Sequence, residues 1–197
     1  MSGEKRKVSK KPSKVYWDAC LFLAWFQNEP RAKEEMDELA RQQNFFDAGR
    51  LHLCTSTITI VEVLEGTLPT TAVDDWHKVM QRDNFHLEQV TRRVCTKAHE
   101  IRDYYRGCGD GYGTFTTPDA IHLATAIVAG CDYLLSFDGS DGKPRIRGNR
   151  TILPAAGTLE TRFSLKVVRP WLDPDPNKNL AFEFGEDSEE EEEGEGA

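Results

Sequence analysis

The stretch from Thr117 to Asp138, TPDAIHLATAIVAGCDYLLSFD, limits what this chain can fold into more than any other. Thr117 fits an N-cap and Pro118 the first helical position. Asp119 falls in the first turn, where the helix dipole favours negative charge. Ile121, Ala124, Ile127 and Val128 recur at helical spacing, so one face packs inward. Gly130 ends the helix, and Tyr133 to Phe137 is a short apolar run suited to a parallel strand covered on both faces. The unit places one carboxylate at a helix start and another, Asp138, just past a strand's carboxyl end. Open α/β sheets bind ligands at that edge.

The rest of the chain repeats the alternation. Val15-Tyr-Trp17 predicts a short strand ending at Asp18, and the apolar run Ala19 to Phe26 a helix behind it. Pro30 opens a second helix over Arg31 to Phe46, with Gly49 ending it. Leu51 to Cys54 is the second strand, and a short helix from Ile58 to Leu64 carries Glu62. An amphipathic helix over 70–82 leads to a third strand, Phe85 to Glu88. Thr91 caps a helix from 92 to 106 with Val94, Ala98, Ile101 and Tyr105 on one face. The glycine-rich loop 108–113 lacks the Gly-Lys-Ser/Thr ending of a phosphate-binding loop and follows no strand, so it reads as a lead-in to Asp119. The polar stretch 139–161 has no clear element, and Leu165 to Pro170 predicts a closing strand. Strands alternating with helices imply a parallel sheet in one α/β domain over residues 15–170.

Both termini are charged. Residues 1–14 sum to +5 and residues 183–197 to −9, which leaves −4 of the net −8 for the middle. Residues 1–14 are expected as a basic disordered tail and 171–197 as a Pro-rich, acidic one. The folded part has none of the basic excess of a non-specific nucleic-acid binder. Five cysteines without a Cys-x-x-Cys pair argue for a reducing compartment and against a disulfide framework or a zinc site. The longest apolar run, Leu21 to Phe26, is too short to span a membrane, so no membrane association and a cytoplasmic location are expected.

Parallel strands share one carboxyl edge, so Asp18, Glu62, Asp119 and Asp138 are expected to converge there despite their separation. Like charges so close raise one another's pKa unless a cation sits among them. Mg2+ or Mn2+ suits such an all-oxygen set, and phosphodiester hydrolysis uses that chemistry. Taken singly, each acid has an ordinary explanation. Asp18 and Asp119 serve a helix start, Asp138 a turn beside Gly139, and Glu62 a solvated helix face. Their joint placement is what points to a site.

The four stretches that carry these acids resemble the motifs of PIN domains: Val15-Tyr-Trp-Asp-Ala19, Ile60-Val-Glu-Val-Leu-Glu-Gly66, Pro118-Asp-Ala-Ile-His-Leu-Ala-Thr-Ala126 and Leu134-Leu-Ser-Phe-Asp138. VapC-like ribonuclease toxins are the branch most resembled, over about residues 15–170. The resemblance implies a three-layer α/β/α domain and a Mg2+- or Mn2+-dependent endoribonuclease. It implies metal held by Asp18, Glu62, Asp119 and Asp138, with Ser136 in support. It further implies an RNA substrate, an antitoxin protein as partner and a homodimer. A non-catalytic binding module on the same fold is the alternative.

Cys20 stands where many members carry Ser or Asn, so weaker hydrogen bonding is expected there, and the 139–161 stretch lengthens a region usually short near the site. His122 is expected to be a packed structural histidine. His52, His77, His86 and His99 form no metal-ligand spacing. Trp17, Trp25 and Trp76 read as core or interface residues.

Overall fold

The computed structural model describes residues 12–65, 69–140 and 149–180. Five short strands, β1 (Ser13–Trp17), β2 (Leu51–Ser56), β3 (Phe85–Glu88), β4 (Tyr133–Leu135) and β5 (Lys166–Val168), form one sheet in the order β3-β2-β1-β4-β5. Every pair is parallel; Tyr16 lies beside Cys54 on one side and Leu134 on the other. Between the strands run α1 (Ala19–Gln27), α2 (Lys33–Asp47), α3 (Ile58–Glu65), α4 (Thr70–Met80), α5 (Arg92–Gly107), α6 (Thr117–Ala129) and α7 (Ala156–Phe163).

The period of two in a strand splits the core into two layers. Tyr16, Cys54, Leu134 and Val167 pack on one face with Val94, Ile101, Leu123 and Leu159 from α5, α6 and α7. Val15, Trp17, Leu53 and Leu135 pack on the other with Phe22, Leu39 and Trp76 from α1, α2 and α4. The result is the expected three-layer α/β/α arrangement. Trp17 and Trp76 are core residues, joined through edge-on and tilted contacts to Phe22 at 5.3 and 5.1 Å between centroids. Trp25 is half-buried.

Several boundaries differ from expectation. β1 begins at Ser13, so the last residues of the expected basic tail belong to the sheet; Lys14 Nζ donates to Glu88 Oε1 at 3.0 Å and to the Ala129 carbonyl at 3.2 Å. Residues 1–11 of that tail lie outside the described residues, as do 181–197 of the acidic one. Residues 171–180, expected as the start of the C-terminal tail, lie against α2. Leu172 N donates to the Glu34 carbonyl at 3.0 Å and Arg41 to the Leu180 carbonyl at 3.4 Å.

The stretch 139–161 holds a 3-10 turn, Leu153–Ala155, and the start of α7; its residues 141–148 lie outside the described ones. The turn after β4 needs its glycine. Gly139 has φ +87°, and a Cβ there would lie 2.8 Å from both Pro154 Cδ and Thr151 Oγ1.

The buried face of α2 is unusually polar. Gln42 accepts from Trp17 Nε1 at 2.8 Å and donates to Glu38 Oε1 at 2.8 Å. Glu38 receives two bonds from Arg41, at 2.7 and 2.8 Å. Glu35 receives Arg169 Nε at 2.7 Å. Each buried acid of this seam thus has a guanidinium of its own, which burial of an ionised carboxylate requires.

Candidate active site

In the order β3-β2-β1-β4-β5 the chain reverses direction across the sheet between β1 and β4, and the carboxyl ends of those two strands flank the crevice. Asp18 leaves β1 there and caps α1, its Oδ1 accepting from Ala19 N at 2.7 Å. Asp138 follows β4. Ser136 joins the two: its Oγ donates to Asp18 Oδ2 at 2.7 Å and accepts from Asp138 N at 2.9 Å. Asp138 Oδ2 also accepts from Ile152 N at 2.9 Å, which draws the end of the 139–161 stretch onto the site.

Asp119 enters from the first turn of α6. The N-cap is Thr116, one residue before the expected Thr117; its Oγ1 accepts from Asp119 N at 3.2 Å and donates to Asp119 Oδ2 at 2.6 Å. A threonine three residues before the acid reaches both groups, and its neighbour, already inside the helix, does not. Glu62 arrives from α3, with Oε2 2.6 Å from His122 Nε2.

His122 is the residue sequence reasoning undervalued. It is 1% exposed and lies among three of the acids: Nε2 faces Glu62 and is 3.6 Å from Asp18 Oδ1, while Nδ1 meets the Tyr16 hydroxyl at 2.7 Å. The signal was present, because residues three apart on a helix share a face and His122 stands three after Asp119. Burial pulls the imidazole down, but Asp18, Glu62 and Asp119 outweigh it, so its pKa is raised above the ordinary value. Asp119 moves the same way. Burial first, then the charges of Asp138 and Asp18, push its carboxyl up to about 6 against the opposing pull of Thr116 and His122.

Cys20 joins the network despite the weakness expected of it. Its thiol donates to Asp18 Oδ2 at 3.3 Å, accepts from Phe137 N at 3.3 Å and lies 3.5 Å from Ser136 Oγ. Burial first and then Asp18 hold it well above the usual thiol pKa, so it stays a protonated donor. Arg31 lies 3.9 Å over the ring of Phe137, the residue before Asp138.

The four acids are thus gathered at one edge, as expected. Each is turned to a protein partner, and among the described residues no group of three or more His, Cys, Asp or Glu is already set around a metal position. The donors are nevertheless of the right kind for a hard cation: carboxylates backed by hydroxyls, with Asp119 feeling the charge of Asp18 and Asp138. The fit to such an ion is one of donor chemistry and not of preset geometry.

Fold and edge together define a parallel α/β domain with an acidic centre at its topological switch point. The family model described as PIN domain matches residues 15–140, well over half of the chain. The chain belongs to the PIN domain family. The structure of VapBC2 from Rickettsia felis bound to a DNA fragment from their promoter is similar to it with TM-score 0.53 at 11% identity, over 80% of this chain and 98% of that one. A toxin-antitoxin complex from Klebsiella pneumoniae gives TM-score 0.47 at 18% identity, over 81% of this chain and 99% of that one. At these identities the likeness is one of fold. Comparison with curated proteins finds no match. No described helix is long and apolar enough to cross a membrane.

Proposed function

We propose that this chain is an endoribonuclease that uses Mg2+ or Mn2+ held by Asp18, Asp119 and Asp138, with Glu62 completing the site. The observation that carries the reading is the convergence of separately delivered carboxylates at the β1–β4 switch point, with one serine hydroxyl linking the Asp18 carboxylate to the Asp138 backbone N–H. A divalent cation bound there lowers the pKa of the attacking water and offsets charge growing on the phosphate oxygens. Ser136 fixes Asp18 against Asp138, and Thr116 fixes the rotamer of Asp119. His122 Nε2 holds Glu62 by Oε2, in position for the carboxylate to orient a water or take its proton.

The test is cleavage of a mixed RNA pool with Mg2+, Mn2+ or EDTA, comparing the natural protein with Asp119→Asn. Metal-dependent cutting that the variant loses, with thermal stability retained, is the expected result. Equal cutting by the variant sinks the assignment. Metal binding without any cutting by the natural protein moves weight to a non-catalytic binding module, against which the presence of all four acids argues.

The second reading concerns a partner. Val61 is 65% and Leu64 39% exposed on α3, one and two positions from Glu62, an apolar surface beside the site that an antitoxin protein would cover. The VapBC likeness motivates this reading, as the family resemblance motivates a homodimer and a cytoplasmic location. Growth arrest on expressing the chain alone, relieved by a neighbouring small protein, supports a toxin; harmless overexpression of an active nuclease argues against it. Light scattering decides the dimer.

A further inference from the structure

The loop between α5 and α6 presents the most exposed of the large hydrophobic side chains described, Tyr112, at 69%. An aromatic ring left in water at a loop tip has no part in the core. The loop that carries it is nevertheless firmly built. Gly109, Gly111 and Gly113 take left-handed φ of +65°, +80° and +72°, and Asp110 Oδ1 accepts from Tyr112 N at 3.1 Å.

Arg150 fastens the loop from the far side of the sequence. Its side chain is only 10% exposed; it pairs with Asp110, donates Nε to the Gly113 carbonyl at 3.3 Å and lies 4.4 Å over the Tyr105 ring and 5.7 Å from that of Tyr112. Committing a nearly buried guanidinium to a surface loop is costly unless the loop's shape matters.

Both anchors of the loop run into the acidic centre. On one side, Arg102 donates to the Phe115 carbonyl at 3.1 Å and to Thr117 Oγ1 at 3.0 Å, holding the segment whose Thr116 caps Asp119. Tyr112 precedes Thr116 by four residues, a span of at most about 14 Å. On the other side, Arg150 N donates to the Thr114 carbonyl at 3.0 Å, and two residues further Ile152 N binds Asp138. The loop is therefore connected on both sides to residues that bind the acids of the site, Thr116 to Asp119 and Ile152 to Asp138.

We propose that Tyr112 is the stacking platform for one unpaired base of the RNA. The proposal rests on the endoribonuclease reading. An exposed aromatic face takes any base that exposes a face of its own, and in a duplex those faces are already covered by their neighbours.

The test uses the full chain in EDTA, so that binding is read without cutting, by fluorescence anisotropy of a labelled 12-nucleotide single strand and of the same sequence as a duplex. Tyr112→Ala is expected to weaken single-strand binding roughly 5- to 150-fold, the equivalent of one stacked base, and to leave duplex binding unchanged. Tyr112→Trp is expected to keep the affinity and to show indole quenching when the strand binds. With Mg2+, Tyr112→Ala is expected to raise KM for single-stranded RNA while kcat holds. Unchanged binding and KM in Tyr112→Ala with cleavage intact overturns the stacking role and leaves the nuclease reading standing, as does cutting of the duplex as fast as the single strand. No RNA binding and no cutting by the natural protein overturns both.

Discussion

Two groups of acids in this molecule are neutralised in opposite ways. Along α2, Glu38 has Arg41 and Glu35 has Arg169, each a private guanidinium at 2.7 Å. At the sheet edge, Asp18, Glu62 and Asp119 are arranged around a single imidazole, that of His122. The first group is closed: its charge is spent within the protein and serves only to join α2 to the sheet and to the end of β5. The second keeps an excess of negative charge that folding has gathered and not cancelled. The acids that hold the fold together each have a cation; the acids of the proposed metal site share one imidazole.

The comparison breaks most visibly in activity. Asp119→Asn is expected to lower metal-dependent RNA cleavage by at least about a thousandfold, in the range of removing a group that holds a catalytic ion, whereas Glu38→Gln in the same assay should cut at nearly the natural rate. Stability should show the reverse. Truncating Glu38 to Ala strands Arg41 and Gln42 and is expected to cost about 3 kcal/mol in urea unfolding; Asp119→Asn, in EDTA, should cost nothing or stabilise. Equal losses from the two would erase the distinction.

The pH dependence follows with a defined sign. Asp119 titrates at about 6 in the fold against an ordinary 3.8, and the His122 pKa is raised too, so both groups bind protons more tightly in the folded chain. For Asp119 the metal-free protein should therefore lose stability as pH rises from about 4 to about 6, by on the order of 2–3 kcal/mol. His122 contributes stability at low pH that is lost as pH rises through its raised folded value. Asp119→Asn should remove the acid part of that slope, and saturating Mg2+ should flatten it in the natural protein while leaving the α2 seam unaffected. A flat stability profile in EDTA would show that the acids are not crowded. The smallest effect belongs to Cys20→Ser. A hydroxyl in place of the weak thiol donor to Asp18 should change cleavage by no more than about twofold and stability by less than about 1 kcal/mol.

Much of this architecture was legible from residue patterns. The strand cores around Tyr16, Leu53, His86, Leu134 and Val167 stand out as short apolar or β-branched runs, and strands separated by helices point to a parallel sheet. The convergence of Asp18, Glu62, Asp119 and Asp138 follows from that alone. What escaped depended on reach. Thr116 and Thr117 are equivalent as letters, and only the geometry of the first turn selects Thr116 to bind Asp119. The helix α7 was hidden because few apolar residues mark it, Leu159 and Phe163 being its buried pair. His122 reads as a core residue from its spacing and is one by burial, yet its ring nitrogens meet Glu62, Asp18 and Tyr16, contacts that come from three other elements. The polar seam of α2 was equally hidden, because Glu35, Glu38 and Gln42 look like a solvated face until Trp17 and Arg169 are placed against them.

The position of β1 at the centre of the sheet has a consequence for the chain during its own synthesis. β1 emerges first and gains β2 after some forty residues, but its other neighbour, β4, begins only at Tyr133. Until then one side of the central strand has no partner, and Asp18 lacks a serine that lies 118 positions downstream. Contacts so distant in sequence form late. A nascent chain stopped at Gly130 should be open to protease, and it would carry Asp18, Glu62 and Asp119 without Ser136 or Asp138. The order of translation thus acts as a timer: on the proposed endoribonuclease reading, the cutting edge could not assemble before Asp138 has been translated.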